Sequence, residues 1–364
     1  MKLALINDTH FGARNDSLAF NHYFFKFYDE VFFPYLEENN INTLVHLGDI
    51  VDRRKFINYN TLRDFREKFV YRLGRMNIDT HVIVGNHDTY WKNTNEINSM
   101  TELFSSFDGK HEPWVYSNPK EVEFDGLSIL MLPWINDANK DQSVEMLKSA
   151  SSPIIFGHLE IAGFEMYKGA FNDHGIDPQI FNKFDMVLSG HYHHKSDNGT
   201  VYYLGAPYEM TWSDYQDPRG FHVFDTDDRS LEYVRNPYRM FHKIFYSDAD
   251  KSFDEVTNQD FSVYTNTCVK LVVQAKTNPY WFDIVVDKLY KSNPFNLTIV
   301  EDFTETSLDL DDNMVDQAED TITILNKYIE TLEMNGDKKK LQSLLHELHA
   351  EAITMDLEWR MIKF

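Results

Sequence analysis

Short apolar runs recur through the first 235 residues of the chain. Runs of this kind are typical of buried strands, and they occupy residues 3–6, 44–47, 81–84, 129–132, 154–156, 186–188 and 201–204. Between the first three runs, apolar residues recur every three or four positions, which predicts two amphipathic helices. Ser17 is the expected N-cap of the first. The apolar positions are Phe20, Phe24, Phe27, Val31 and Tyr35 in the first helix and Leu62, Phe65, Phe69, Leu73 and Met76 in the second. This alternation predicts an α/β fold with a largely parallel sheet.

The pattern changes near residue 238. A strand at 269–273 and a helix at 281–291 predict a small α/β unit over 238–300. Residues 301–320 hold nine acidic and no basic side chains, which is typical of a linker or a solvated helix start. Two leucine-rich stripes then predict a helical segment over 321–364, which either packs on the body or binds a partner.

Composition narrows the class of protein. The 35 basic and 58 acidic residues give a formal charge of −23, which argues against a general polyanion-binding protein. A single cysteine, Cys268, excludes an internal disulfide and fits a reducing compartment. The N-terminal residues do not resemble a secretory signal, and no apolar run is long enough for a membrane span. These features predict a globular protein of the cytoplasm.

Polar clusters directly follow five of the apolar runs. They are Asn7-Asp8-Thr9-His10, Gly48-Asp49-Ile50-Val51-Asp52, Gly85-Asn86-His87-Asp88, Gly157-His158 and Ser189-Gly190-His191-Tyr192-His193. Ligands of open α/β sheets bind at the carboxyl ends of strands. The five clusters are therefore expected along one edge of one sheet.

The residue types in these clusters indicate a metal site. Seven side chains offer oxygen or nitrogen donors without a thiolate, a set suited to Mn, Fe or Zn: Asp8, His10, Asp49, Asn86, His158, His191 and His193. Seven ligands are too many for one ion and suit two ions that share the Asp49 carboxylate. Such a pair activates water for displacement at phosphorus, which predicts phosphoester hydrolysis. Any one of these histidines alone is more often an ordinary core or surface residue.

Together the five clusters resemble the motifs of the calcineurin-like metallophosphoesterases. The resemblance implies a β-sandwich flanked by helices over residues 1–237, a small α/β capping domain for DNA recognition over 238–300, and C-terminal helices. It assigns Asp8, His10, Asp49 and His193 to one ion and Asp49, Asn86, His158 and His191 to the other. It also implies that His87, held by Asp88, is the general acid. The alternative for His87 is a turn residue without a catalytic role.

Within that superfamily, the segments 48–54 and 85–88 are similar to those of SbcD-type nucleases of DNA double-strand-break repair. The run 203–224 is similar to the recombination endonuclease subunit of tailed bacteriophages. This likeness implies a DNA exonuclease and endonuclease with two Mn²⁺ ions, for which Mg²⁺ is a substitute. It also implies an SbcC-type coiled-coil ATPase partner, a homodimer formed through the nuclease domain, no membrane association and, for a phage protein, the host cytoplasm. Asp52 departs from some cellular relatives, which carry histidine there, but matches bacterial and phage members, so it receives no catalytic role. His194 is an extra histidine beside the fifth motif, expected either to support the ligands from behind or to lie on the surface.

Basic residues are concentrated between positions 53 and 75, where eight basic and two acidic side chains give a net charge of +6. Arg53, Arg54 and Lys55 follow the second motif and are predicted to contact DNA phosphates. The basic residues from Arg63 onward are equally compatible with a solvated helix face. Tyr90 and Trp91, after the third motif, either stack on a base or pack in the core.

Two other functions fit the same residues. One is a phosphatase of this superfamily that acts on phosphoprotein or small phosphoesters. The other is a metal-bound scaffold without catalytic activity that organises an ATPase partner.

Overall fold

The computed structural model describes residues 1–104, 112–167 and 169–301. The predicted linker, apart from Glu301, and the predicted helical segment over 321–364 therefore lie outside the described residues. Within the described ranges, two six-stranded sheets pack face to face. Each predicted apolar run coincides with a strand to within two residues. No helix in these ranges is long and apolar enough to cross a bilayer.

The first sheet contains the strands that precede the first three polar clusters. Its strands are β1 (Lys2–Ile6), β2 (Thr43–His46), β3 (Asp79–Ile83), β4 (Trp114–Tyr116), β13 (Gly220–Asp225) and β14 (Leu231–Arg235). Across the sheet the order is β14-β13-β1-β2-β3-β4. Strands β1 to β4 run parallel to one another, while β13 and β14 are antiparallel additions at one side.

The second sheet contains the strands that precede the other two polar clusters. Its strands are β5 (Lys120–Phe124), β6 (Leu127–Leu132), β7 (Ile154–His158), β10 (Met186–Gly190), β11 (Ser196–Asp197) and β12 (Val201–Tyr203). The order is β11-β12-β10-β7-β6-β5, with a parallel centre and antiparallel margins. A hairpin of β8 (Glu165–Tyr167) and β9 (Ala170–Phe171) lies in the connection from β7 to β10.

The central strands are buried on both faces. In β1, Leu3 and Leu5 belong to the apolar cluster between the sheets, while Ala4 and Ile6 belong to the cluster that contains the helices. This arrangement explains why the strands are continuous apolar runs instead of alternating ones. The structure confirms a helix-flanked β-sandwich, but it corrects the expectation that all five clusters share one sheet.

Helices cover the outer face of the first sheet, and two of them contain π-helical turns. Their α-helical parts are α2 (Leu18–Phe27), α3 (Phe33–Glu38), α4 (Tyr59–Asp64), α5 (Tyr71–Arg75) and α6 (Ser99–Phe104). The preceding short turn, α1 (Ala13–Asp16), contains residues with left-handed dihedral angles. The π-helical turns are Tyr28–Phe32 and Phe65–Val70. The first turn rotates the buried face, so that Phe32 and Phe33 are buried while Val31 and Tyr35 are only partly so. Ser17 occupies the N-cap position of α2, but its side chain makes no capping hydrogen bond. On the second sheet lies α7 (Lys140–Ser149).

A smaller parallel sheet follows the sandwich. It consists of β15 (Phe241–Ser247), β16 (Cys268–Ala275) and β17 (Asn296–Val300), with α8 (Phe253–Thr257) and α9 (Pro279–Lys291). These elements have their own apolar cluster. Cys268 is buried at the start of β16, and burial raises the pKa of its thiol to about 11. The role of this region in DNA recognition stays a prediction.

A buried carboxylate fixes the chain where it enters β15. The Oε2 atom of Glu209 accepts hydrogen bonds from the backbone N–H groups of Met240, at 2.7 Å, and Phe241, at 2.9 Å. Burial raises the pKa of Glu209 to about 7, although these two bonds oppose the shift. The start of the small sheet is therefore held by a single side-chain oxygen of the preceding segment.

Candidate metal centre

The seven predicted ligands lie at the carboxyl ends of five strands. Strands β1, β2 and β3 supply Asp8, His10, Asp49 and Asn86, while β7 and β10 supply His158, His191 and His193. The site therefore lies where the two sheets meet. Asp8, His10, Asp49 and His191 all have positive φ angles, which are uncommon for residues other than glycine. Such conformations are concentrated at functional sites, where the surrounding fold maintains them.

The first predicted ligand set converges in the structure. The Nε2 atoms of His10 and His193 lie 3.1 Å apart, and each lies 4.0 Å from Oδ1 of Asp8. Oδ2 of Asp49 is 3.8 Å from Nε2 of His10. Four donor atoms thus surround one small volume.

The second predicted set converges beside the first. Nε2 of His158 lies 2.9 Å from Oδ1 of Asn86 and 3.3 Å from Oδ2 of Asp49. Nδ1 of His191 lies 2.9 Å from the same Asn86 oxygen. Because Oδ2 of Asp49 approaches a histidine of each set, Asp49 lies where a bridging ligand belongs.

Burial and neighbouring charges shift the pKa values of several of these groups. Burial, with repulsion from neighbouring histidines, lowers the pKa of His10 and of His191 well below the ordinary value, so both are neutral as ligands must be. Burial alone would raise the pKa of Asp49, but attraction to His158 and His87 holds it well below its usual range. The same attraction outweighs burial at His158 and raises its pKa to about 9. The donor atoms fit a pair of cations, and a His158 ligand has to release its proton.

Two glycines are required by the closeness of these loops. A Cβ on Gly85 would lie 2.3 Å from Oδ1 of Asp49. Gly48 has a φ of +97°, and a Cβ there would lie 2.4 Å from Nδ1 of His158. Any side chain at either position would displace a predicted ligand.

His87 lies at the edge of the donor cluster. Its ring packs edge-on against His10, with centroids 4.8 Å apart, and its backbone N–H donates to Oδ1 of Asp49 at 2.7 Å. Its Nδ1 lies 2.6 Å from the backbone carbonyl oxygen of Asp52. The ring is partly exposed, so a substrate can reach it.

A family model described as calcineurin-like phosphoesterase matches residues 1–195, which contain all five clusters. The chain belongs to the calcineurin-like phosphoesterase family. It is 32% identical to "Exonuclease subunit 1" of Enterobacteria phage T4 over 321 residues, which are 87% of this chain and 90% of that protein.

Two further matches involve less of the sequence. The SbcD subunit of the nuclease SbcCD from Staphylococcus epidermidis is 22% identical over 240 residues, 55% of this chain and 59% of that protein. An archaeal phosphodiesterase of known structure is 16% identical and covers 65% of this chain and 100% of its own, with a TM-score of 0.33. The predicted likeness to SbcD-type nucleases and their phage relatives is confirmed by the two sequence matches.

Asp88 of this phosphoesterase is bound differently from the expectation. The sequence resemblance implies that Asp88 holds His87, but its carboxylate accepts backbone N–H bonds at the second and third motifs. The donors are Gly85 at 2.9 Å, Asp49 at 2.8 Å, Ile50 at 2.9 Å and Val51 at 3.3 Å. Asp88 therefore fixes the loop that presents Asp49, and the Asp52 carbonyl holds His87. Burial, with repulsion from Asp49, raises the pKa of Asp88 to about 7.

The remaining outer contacts could not be predicted from the motifs. Nδ1 of His158 lies 2.7 Å from the carbonyl oxygen of Leu47, an arrangement that directs Nε2 toward the site. Asn7 donates to Oδ2 of Asp8 at 2.6 Å. Oδ1 of Asp52 lies 3.7 Å from Nδ1 of His10, so this residue contacts two site histidines. The second motif therefore supplies the ligand Asp49 and, through Asp52, also contacts His10 and His87.

A buried ion network lies behind His193. Arg219 donates to the backbone carbonyl of His193 and, through Nη2, to Asp214 at 2.6 Å and Asp217 at 2.9 Å. Asp217 also lies 2.9 Å from Nδ1 of His194. His194 is therefore part of the support for the fifth motif. The sequence signal was the run 217–221, which resembles the phage relatives without revealing these contacts.

The three predicted DNA-contact residues have different surroundings. Arg53 is bound to Asp16 at 2.8 Å and to Asn15 at 2.7 Å. Nη1 of Arg54 is buried without a hydrogen-bond partner among the described residues, and the Asp49 carboxylate opposes the lowering of its pKa by burial. Lys55 is exposed, with its Nζ 5.9 Å from the centre of the Trp91 ring.

Proposed function

We propose that this protein is a Mn²⁺-dependent DNA exonuclease and endonuclease, a subunit of a recombination and double-strand-break repair complex. The observation that carries the proposal is the Asp49 carboxylate, shared by two donor sets and hydrogen-bonded to the backbone of His87. The names of the two sequence relatives, an exonuclease subunit and a nuclease subunit, support DNA as the substrate.

The roles of the residues follow from their positions. Asp8, His10, Asp49 and His193 would hold one cation, and Asp49, Asn86, His158 and His191 the other. When bound, such a pair lowers the pKa of a water molecule and offsets negative charge that develops at phosphorus. His87, partly exposed and fixed through Nδ1, presents Nε2 to protonate the leaving oxygen. Asp88 keeps the Asp49 loop in place during turnover.

The donor types favour Mn²⁺ over Mg²⁺. Four of the seven donors are histidine nitrogens, whereas Mg²⁺ prefers oxygen ligands and retains several waters. Mn²⁺ accepts both nitrogen and oxygen. Mg²⁺ is therefore expected to support slower hydrolysis at the same site.

DNA contacts are proposed on the side of the second motif. Arg54 has a guanidinium nitrogen without a partner in the described chain, which makes it the strongest candidate for a phosphate contact near Asp49. Lys55 follows Arg54 in the chain and lies near the half-exposed Trp91. We propose that Lys55 contacts the DNA backbone and that Trp91 stacks on a base. Arg53 is neutralised by Asp16 and is expected to contribute less.

We propose partner subunits that contribute to DNA binding, because the net charge of −23 disfavours strong DNA binding by this chain alone. Both relatives are named as subunits. A coiled-coil ATPase bound by residues 321–364, a homodimer formed by the sandwich and a cytoplasmic location complete the proposal. Deletion of residues 311–364 should abolish capture of the ATPase; unchanged capture would overturn that assignment.

The decisive experiment compares end-labelled duplex DNA with bis(p-nitrophenyl) phosphate, in Mn²⁺ and in Mg²⁺. We expect cleavage of both substrates by the wild type, with Mn²⁺ faster, and a loss of roughly 1,000-fold or more for Asp49→Ala. Asp283→Ala, at an exposed position of α9, is the matched control. Hydrolysis of small phosphoesters without DNA cleavage would favour a phosphatase, and activity unaffected by Asp49→Ala would favour a scaffold.

A further inference from the structure

A cleft of about 470 Å³ lies next to the fifth motif, outside the donor cluster. Its apolar lining includes Phe164, Phe171 and Pro178, and its polar lining includes Glu165, His194 and Ser196. Phe171, in β9, is 58% exposed, and the hydroxyl of Ser196 is buried without a partner in the described chain. A concave site that combines a free aromatic face with a few convergent polar groups is typical of a ligand pocket.

The cleft is joined to the metal centre by a short chain of contacts. His194 lies 3.3 Å from Oε2 of Glu165 on the cleft side and 2.9 Å from Oδ2 of Asp217 on the other. Asp217 is bound by Arg219, which donates to the backbone carbonyl of His193. The wall of the cleft therefore shares its support with the predicted ligand His193, which directly precedes His194 in the chain.

The lining selects the chemistry of the occupant. It contains the carboxylates of Glu165 and Asp197 and no lysine or arginine among its described residues, so it disfavours a phosphate. A flat ring with N–H donors fits better, because the ring can stack on Phe171 while the donors face carboxylate oxygens. Within a DNA substrate, the nucleobases have this chemistry.

We propose that the cleft binds the nucleobase of a nucleotide next to the scissile phosphate, and thereby sets the register of the strand. This inference rests on the proposed nuclease function, to which it adds a base-binding subsite. The proposed phosphate contacts involve Arg54 and Lys55, neither of which lines the cleft. Cleavage then depends on a base at one defined position, whatever the sequence elsewhere.

The test uses oligonucleotides in which one abasic residue is moved along the strand, with the cleavage rate measured at each phosphodiester bond. For the wild type, we expect the abasic residue to slow cleavage about tenfold at one fixed distance, since stacking on an aromatic side chain is a substantial part of single-strand binding. Phe171→Ala should make intact and abasic substrates equal at that bond. Phe245→Ala, at a 52% exposed position outside the cleft, should keep the tenfold difference.

Two results would overturn the inference. One is a wild-type rate that does not depend on the abasic position. The other is a Phe171→Ala enzyme that keeps the full difference between intact and abasic substrates. Failure of the nuclease proposal is distinguishable, because the wild type would then hydrolyse bis(p-nitrophenyl) phosphate without cleaving any of the oligonucleotides.

Discussion

The Nδ1 atom of His87 lies 2.6 Å from the backbone carbonyl oxygen of Asp52. A carbonyl oxygen can only accept, so Nδ1 carries the hydrogen of this bond. Nε2 is then the nitrogen that is left to exchange protons with a substrate. Asp52 thus fixes the tautomer of the proposed general acid through its backbone, whatever its side chain is.

Substitution of His87 should have an effect that depends on the leaving group. His87→Gln is expected to lower kcat on DNA by roughly 100- to 10,000-fold, the usual contribution of a general acid. On bis(p-nitrophenyl) phosphate the loss should be much smaller, because nitrophenolate leaves readily without a proton. Steady-state kinetics on both substrates check this, with His22→Gln at an exposed position of α2 as the control. Equal losses on the two substrates would contradict a proton-donor role.

Gly85→Ala should remove activity through crowding. The new Cβ would lie 2.3 Å from Oδ1 of Asp49, so the shared carboxylate has to move. We expect a loss of activity of roughly 100-fold or more, the effect of misplacing a catalytic group by about 1 Å. We also expect a lower Mn²⁺ content, measured by elemental analysis. The control is Asp283→Ala, at an exposed position of α9 far along the chain from the metal ligands. Full activity with normal metal content in Gly85→Ala would show that the loop tolerates the shift.

Asp88→Asn should destabilise the fold, although Asp88 contacts the predicted ligand Asp49 only through its backbone N–H. The amide replaces one acceptor oxygen by a donor that faces backbone N–H groups of the Asp49 loop. Buried bonds to a charged group contribute about 1.5 to 3 kcal/mol each, so a decrease of about 2 to 4 kcal/mol in the free energy of unfolding is expected. Urea denaturation measures it, with Asp283→Asn as the exposed control. An unchanged unfolding midpoint would show that Asp88 is dispensable for the loop.

The pH dependence of stability should contain a contribution from Glu209. Its pKa is raised to about 7 from an ordinary 4.5, so the folded state binds the proton more tightly. The bound proton therefore stabilises the folded state fully below pH 4.5, and this stabilisation is lost as the pH rises to about 7. The loss in the free energy of unfolding is about 3 kcal/mol at most. Glu209→Gln keeps an oxygen for Met240 and Phe241 and should remove this slope. Parallel denaturation curves for both proteins from pH 4.5 to 7 test the prediction, and an identical slope would refute it.

The sequence was sufficient to locate the strands and the polar clusters because a buried strand and its following loop are both local features. It could not show whether the strands before the five polar clusters belong to one sheet or to two. Leu3 and Ala4 are equally buried, on opposite faces of β1, so the apolar run does not reveal which neighbour covers each face. The assignment of β7 and β10 to a second sheet depends on contacts distant in sequence.

The contacts of individual polar groups could not be predicted from the sequence either. The motif Gly85-Asn86-His87-Asp88 places Asp88 beside His87 in the chain, but its carboxylate is used by the backbone of another loop. Likewise, the spacing of apolar residues predicted the first helix without its π-helical turn, which changes the buried residues from Val31 to Phe32. Both outcomes are decided by tertiary packing.

Each donor set draws ligands from both sheets of the sandwich. A cation held by Asp8 and His10 on one side and His193 on the other would act as a cross-link where the apolar layer between the sheets ends. A ligand that binds only the folded state stabilises it by about 2.7 kcal/mol at 100 times its dissociation constant. The ion that equips this protein for hydrolysis would therefore also govern its lifetime, and metal-starved molecules would be the first to unfold and be degraded.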